Sequence, residues 1–250
     1  MYDLHCHIIP GIDDGAKTMD EALALLQIAE QEGISHMVIT PHIHPGTFDN
    51  TSSIIQQGLF ELRAASQQAG LHIQLAAAAE VRLSTEILHW AERGMLPFIG
   101  KYQGFDVLLL EFPHSHIPAG ADKLVKWLLS KCILPMIAHP ERNRDVQSDP
   151  AKLAPFIRLN CLFQLTASSV LGDMGERSTA LAEQLLKQKL FHVMATDSHN
   201  LLRRPPKLKQ AAQHVSELVS PDYAELLVLR MPKQISEAVS YTHLTLPTKA

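Results

Sequence analysis

Short apolar or β-rich runs alternate with longer helical patterns along the whole chain. Tyr2–His5, His36–Thr40, His72–Ala79, Asp106–Phe112, Leu134–Ala138, Leu162–Thr166 and His192–Thr196 read as strands. Two of them, VLLLEF and LPMIAH, are almost entirely apolar. Such runs suit strands buried on both faces, as in a parallel sheet with helices outside.

Between the strands lie stretches with helical spacing of apolar residues. Asp20–Gln31 places Ala22, Leu25, Leu26 and Ala29 on one face and stops before Gly33. Ser52–Ala69 stops before Gly70, and Ser84–Arg93 before Gly94. Asp122–Lys131, Pro150–Leu159 (which Pro155 must kink or split), Glu176–Lys189, Pro206–Leu218 and Asp222–Leu229 complete the set. Seven strand-then-helix units imply right-handed crossovers and parallel pairing. The predicted fold class is therefore α/β, a closed or nearly closed barrel of seven units, with an open doubly wound sheet as the second choice. No linker composition divides the chain, so a single domain over residues 1–238 is expected. Val239 to Thr248 read VSYTHLTLPT, which resembles a translated sequencing adapter, and 239–250 are expected to be a non-native tail.

Composition narrows the function classes. A net charge of −4 removes the electrostatic basis for general binding of nucleic acid or anionic membrane. No apolar run is long enough to span a bilayer, and the first residues carry no export signal, so a cytoplasmic location is expected. Three cysteines make no disulfide framework. The 14 histidines exceed the 8 phenylalanines, and imidazole is the commonest metal ligand.

On the predicted frame the polar residues collect at strand ends. His5 and His7 end the first strand, and Asp14 follows in Asp-Asp-Gly. His42 follows the second strand, Glu80 ends the third and Glu111 the fourth. His139 ends the fifth, and Asp197 with His199 ends the seventh. In parallel barrels function gathers at the C-terminal strand ends. His5 and His7 are two residues apart and so face the same side of a strand; Asp197 and His199 repeat the spacing. Taken singly, each motif has a plain structural reading: Asp13 and Asp14 with Gly15 form a turn signal, and a lone HxH is usually two histidines on a strand. Together, nine ligand-type residues at six of seven strand ends point to a multi-metal site. Nitrogen and oxygen donors without thiolate suit manganese, iron, zinc or cobalt.

MYDLHCHIIPGIDDG, TPH, AAE, LLLEFP, IAHPERN and ATDSHN, in this order, resemble the PHP (polymerase and histidinol phosphatase) superfamily. More closely they resemble the CpsB/CapC-type bacterial tyrosine-protein phosphatases of capsule and exopolysaccharide synthesis. The resemblance implies a distorted (β/α)7 TIM-like barrel, the PHP fold, holding three divalent ions, commonly Mn2+, with Fe, Zn or Co as alternatives. It implies His5, His7, Glu80 and Asp197 at a first ion, Glu80, Glu111 and His139 at a second, and Asp14, His42 and His199 at a third. Arg142 and Arg204 match the phosphate-binding arginines, with Arg203 adjacent, and His42, His199 or a metal-bound water could supply a proton to the leaving group. It further implies a phosphotyrosine protein as partner, a tyrosine kinase of polysaccharide synthesis, and it allows a ring-like homo-oligomer.

Two other classes share these motifs: a small-molecule phosphatase of the histidinol phosphate type, and a non-catalytic metal-binding regulator. A cysteine phosphatase is disfavoured, because Ile12, Ala138 and Ala167 stand where a Cys-x5-Arg loop needs arginine. Cys6 should point away from its histidine neighbours into the core. His44, His114 and His116 are further candidates at the mouth. His36, His72, His89, His192 and His214 are read as structural or solvated, and Trp90 and Trp127 as packing residues.

Overall fold

A computed structural model of the chain describes residues 1–237; the expectations for 239–250 and for the last residue of the predicted domain lie outside the described residues. In chain order the elements are β1 (Tyr2–Asp3), α1 (Met19–Gln31), β2 (His36–Ile39), β3 (His42–Ile43), α2 (Ser52–Gln68), β4 (Gln74–Ala77), β5 (Glu80–Arg82) and α3 (Glu86–Glu92). There follow β6 (Gly100–Tyr102), β7 (Phe105–Glu111), α4 (Ala121–Ser130), β8 (Ile133–Ala138), α5 (Arg144–Ser148), α6 (Ala154–Arg158) and β9 (Leu162–Thr166). The last are α7 (Ala167–Val170), α8 (Glu176–Lys187), β10 (Val193–Ala195), α9 (Leu208–Leu218), α10 (Pro221–Glu225) and α11 (Met231–Ser236). Thr18 and Thr51 cap α1 and α2 through their side-chain oxygens.

Parallel pairing runs β1–β2–β4 in one sheet and β3–β5–β7–β8–β9–β10 in the other. The two sheets are halves of one barrel, because β2 continues as β3 past Pro41 and β4 continues as β5 past Ala78–Ala79. Proline lacks an N–H and interrupts the ladder at Pro41. The last strand returns to the first: Asp197 N–H donates to His5 O (2.8 Å) and His7 N–H to Ser198 O (2.8 Å). Below them the buried Asp3 carboxylate accepts from Thr196 N–H (3.0 Å), so a side chain fills a ladder position along the seam.

Alternation sorts the apolar side chains into two cores. Leu4, Val38, Ala76, Val107, Leu109, Met136 and Val193 fill the barrel interior. Leu108, Leu110, Ile137, Phe163 and Met194 face outward onto the helices, with Leu25, Leu26, Leu59, Val125 and Leu185. Glu80 and Glu111 share parity with interior residues and so point inward at the C-terminal end. The opposite end is plugged by Ile99, Met231 and Ile235.

Several sequence expectations shift. Glu80 does not end the third strand; it opens β5, paired with His42 on one side and Leu109 on the other. Strand β6 is antiparallel to β7, joined by the two-residue turn Gln103–Gly104, and pairing at its position replaces β4 against the lower half of β7. The stretch expected as one helix over Pro150–Leu159 is split into a 3-10 turn (Pro150–Leu153) and α6, as Pro155 requires.

The plug generates a test. Gly100 has φ +152°, and a Cβ there would lie 1.9 Å from Ile235 O. Gly172, at φ +88°, has open space around it. In urea titrations Gly100→Ala should cost about 2 kcal/mol or more, and Gly172→Ala about 1 kcal/mol from backbone strain alone. A Gly100→Ala protein as stable as wild type would contradict the packing of α11 against β6.

Candidate metal centre

The first strand delivers two imidazoles to one face. Cys6 bridges to Ser198, its thiol reaches toward Val38 O (3.8 Å), and it packs in the outer core, so His5 and His7 both project into the mouth. Burial, with nearby carboxylates, pushes the Cys6 thiol far up, which leaves it inert as a nucleophile. His139 (φ +30°) and Asp197 (φ +50°) both adopt the left-handed region, which non-glycine residues rarely do. Each such residue costs on the order of 1–3 kcal/mol, and such strain clusters at functional sites.

The tightest group is His5, His7, Glu80 and Asp197. His5 Nε2 lies 3.1 Å from His7 Nε2, 3.2 Å from Glu80 Oε2 and 3.4 Å from Asp197 Oδ1. His7 Nε2 lies 3.4 Å from each of those two carboxylate oxygens. Donors about 2.0–2.2 Å from one tetrahedral ion stand about 3.3–3.6 Å apart, close to these His–His and His–carboxylate distances. The two carboxylates nevertheless divide, Glu80 grouping with His5 and His7, and Asp197 with His5 and His139. The tautomers agree with ligation. His5 Nδ1–H donates to Gln164 Oε1 (2.9 Å) and His7 Nδ1–H to Asp13 Oδ2 (2.8 Å), which leaves both Nε2 lone pairs bare and facing each other. Bare lone pairs and carboxylate oxygens packed this closely repel unless a cation or protons lie among them.

The other donors adjoin this group. His42 Nδ1 is 3.0 Å from Glu80 Oε2 and its Nε2 is 3.4 Å from Asp14 Oδ1; His199 Nε2 is also 3.4 Å from Asp14 Oδ1. His199 Nδ1–H donates to Asp197 O (2.9 Å), which again leaves Nε2 bare. His139 Nε2 lies 2.8 Å from Glu80 Oε1, and Glu111 Oε2 lies 3.8 Å from His42 Nδ1. All nine residues expected as ligands fall in four overlapping donor groups. The grouping differs from the expected partition, beginning with Asp197, which is not grouped with His7 and Glu80. His7 joins Asp14, His42 and His199, and Glu111 is grouped with Glu80 and His42 while His139 is grouped with His5 and Asp197.

Charge completes the fit. Burial opposes a charge on His42, but Glu80 beside it outweighs this and lifts the ring to about 10. Burial and then the neighbouring Glu80 carboxylate push Glu111 up to about 7. Burial, with Arg142, holds His139 neutral at about 3; burial, with His7, lowers His199 to about 4. Buried Glu80 Oε2, Glu111 Oε2 and His199 Nε2 have no hydrogen-bond partner. Imidazole nitrogens and carboxylate oxygens crowded and buried in this way fit divalent cations.

Both expected arginines reach the centre. Arg142 Nη1 and Arg204 Nη2 each donate to Asp197 Oδ2. Arg203 is exposed and engages Asn200 through its backbone instead. Of the additional histidines, His114 stacks on His139 at 5.7 Å between centroids and sits 3.9 Å from Glu111, while His116 is exposed and bonded to Ser115. His44 ties a tight loop through backbone bonds to Phe48. His36 stacks on Tyr2, and His192 Nδ1 accepts from Phe163 N–H.

Three supporting residues escaped the sequence reading. Asp13 holds His7 and also accepts from the backbone of His42 (3.1 Å) and Gly15 (2.9 Å). Gln164 holds His5 and the His139 N–H (3.2 Å). Arg82, cross-strand from Glu111, places Nε 3.0 Å from its Oε2. A lone polar residue at an interior position of the apolar run LFQLT is a signal that pointed to Gln164. The role of Asp13 was hidden in what read as an ordinary turn.

The chain is similar to known proteins over most of its length. The family profile for capsular polysaccharide synthesis, CpsB/CapC, matches residues 1–237. A putative tyrosine-protein phosphatase CapC of Staphylococcus aureus is 33% identical over 84% of this chain and 81% of its own length. The tyrosine-protein phosphatase YwqE of Bacillus subtilis is 31% identical over 82% and 79%. A solved structure from work on YwqE and on CpsB of Streptococcus pneumoniae, described as metal-dependent tyrosine phosphatases, superposes with TM-score 0.88 at 25% identity, covering 96% of each chain. The phosphotriesterase homology protein of Escherichia coli shares the fold at TM-score 0.56 and 10% identity, over 94% of this chain and 98% of its own.

Cation binding should register as stability. A divalent ion present at about 100 times its Kd should add about 2.7 kcal/mol, or roughly 5–10 °C in Tm for a domain of this size. Removal by a chelator should reverse the gain, and Glu80→Gln, which touches two donor groups, should lose most of it. A wild-type melting curve unmoved by divalent ions would contradict the site.

Proposed function

The chain belongs to the CpsB/CapC family of capsular polysaccharide synthesis, and from that premise we propose that it is a metal-dependent protein-tyrosine phosphatase. Its substrate is phosphotyrosine in a protein, and the partner is a bacterial tyrosine kinase controlling capsular or exopolysaccharide synthesis. The observation that carries the proposal is the convergence on Asp197: the carboxylate that borders the paired imidazoles also receives two guanidinium groups. Donors for cations and donors for phosphate thus share one buried anchor.

Three divalent ions, manganese by family habit, would be held by His5, His7, Asp14, His42, Glu80, Glu111, His139, Asp197 and His199. When bound they supply Lewis-acid charge beside the phosphoryl group and lower the pKa of water to near neutrality. The protein's own side chains do the rest. Arg142 and Arg204 are anchored at Asp197 but 15% and 19% exposed, so they can donate to the equatorial phosphate oxygens without first being ordered. A planar fork suits this role better than an ammonium. Asp13 and Gln164 fix the His7 and His5 rings in the ligating tautomer. Of the two rings expected to pass a proton to the departing phenolate oxygen, His199 has its Nδ1–H committed to Asp197 O, which favours His42 through the nitrogen that does not hold an ion.

Cys6, Cys132 and Cys161 are free, which suits a reducing compartment and supports a cytoplasmic site of action. No helix among the described residues is long and apolar enough to cross a membrane.

A panel of phosphotyrosine peptide, phosphoserine peptide and histidinol phosphate, assayed with added manganese, tests the proposal. Phosphotyrosine should be turned over best, and Arg142→Lys should lower kcat/KM about tenfold or more. Preference for histidinol phosphate would contradict the substrate assignment. Metal binding without turnover of any member would contradict catalysis itself.

A further inference from the structure

Beside the metal centre lies an apolar pocket of about 240 Å³, lined by Ile43, Pro45, Phe48, Trp90, Met95 and Pro97. Its wall is shared with the site. The Phe48 ring stacks on the His42 imidazole, with centroids 5.5 Å apart and planes 10° from parallel. Anything that fills the pocket therefore lies one ring away from a residue of the donor cluster.

The wall is also rigid. His44 N–H donates to Phe48 O (3.0 Å) and Phe48 N–H to His44 O (2.8 Å), closing a short loop. Gly46 N–H donates to Asp49 Oδ1 (2.8 Å), and Asn50 Nδ2 donates to both His42 O (2.8 Å) and Ile12 O (2.9 Å). Asn50 thereby ties the pocket loop to the segment that carries Asp14. Asp49, the one charged lining residue, already has its carboxylate engaged. The pocket is thus preformed and mostly apolar, with Thr51 and Ser52 completing its lining beside Asp49 and Asn50, as in sites lined by apolar side chains with a few placed polar groups.

Its size selects the occupant. Small-molecule sites usually offer about 300–1,000 Å³, so this space is short of a whole ligand and suits one large side chain. A phosphotyrosine in a polypeptide brings neighbouring side chains at about 3.3–3.6 Å per residue along an extended backbone. We propose that this pocket is a specificity subsite for an aromatic or large aliphatic side chain within about three residues of the phosphotyrosine. The proposal rests on the phosphatase assignment and extends it from the phosphate to the flanking polypeptide.

The subsite is tested by comparing kcat/KM for free phosphotyrosine, a phosphotyrosine peptide flanked by alanines, and peptides with phenylalanine or leucine placed in turn at each flanking position. Wild type should favour one placement over the alanine peptide by about tenfold, chiefly through KM, as burial of a side chain of that size allows. Met95→Asp, a change at a 49% exposed position that folding should tolerate, should reduce that ratio to about twofold or less. Trp90→Leu should reduce it as well. Equal rates for all peptides in wild type, or a preference that survives both substitutions, would overturn the subsite while leaving the phosphatase assignment intact. No turnover of any of these substrates by metal-loaded wild type would overturn the phosphatase assignment, and the subsite with it.

Discussion

The structure is organised around an electrostatic constraint: Glu80 and Asp197, both buried, meet the bare Nε2 atoms of His5 and His7 at 3.2–3.4 Å. Charges removed from water at such separations are strongly destabilising unless opposite charge is close. Burial and the neighbouring carboxylates act in opposite senses on His5 and His7, and the carboxylates prevail, raising both rings. Without cations, protons must therefore fill the space among these donors. With cations, the same atoms become ligands. The two guanidinium groups on Asp197 add positive charge from the side on which phosphate would arrive.

The rest of the barrel holds this arrangement together. The lower interior is packed with apolar side chains and sealed by Met231 and Ile235, while the metal-donor groups gather at the C-terminal rim. Gly15 allows the Asp13–Asp14 loop to lie against the first strand, since a Cβ there would be 2.1 Å from His7 O. Asp13 then uses both oxygens to join His7, His42 and that loop. Ligands from separate strands are thus linked through shared buried acceptors, which keeps them aimed when ions are absent. The left-handed residues His139 and Asp197 show the backbone yielding to the same demand.

Much of this was legible in the sequence, and the reasons are specific. The i, i+2 spacing in His5-Cys6-His7 survives in the fold because a short extended segment keeps its two faces, whereas Asp197 and His199 reach the cluster through a left-handed turn at Asp197, beyond the end of β10. The runs containing Glu111 and His139 were long and apolar, which made their strands and the ends of those strands readable. The Ala77–Ala79 stretch was not readable, because alanines carry no alternation, and so the break before Glu80 and the new strand β5 were missed. Strand β3 was hidden by its two-residue length after Pro41. Strand β6 left a signal in Tyr-Gln-Gly-Phe, a two-residue turn with both central φ values positive. Asp13 and Arg82 carry no mark in the sequence that separates a residue orienting a ligand from an ordinary turn or surface charge.

The most direct measurement is the number of divalent ions retained per chain after purification and exhaustive dialysis, determined by elemental mass spectrometry against protein concentration. The account predicts about three ions in wild type and a loss in Asp197→Ala that accompanies loss of phosphotyrosine hydrolysis. Wild-type protein that hydrolyses phosphotyrosine while retaining no ion, and that is indifferent to chelators, would contradict it.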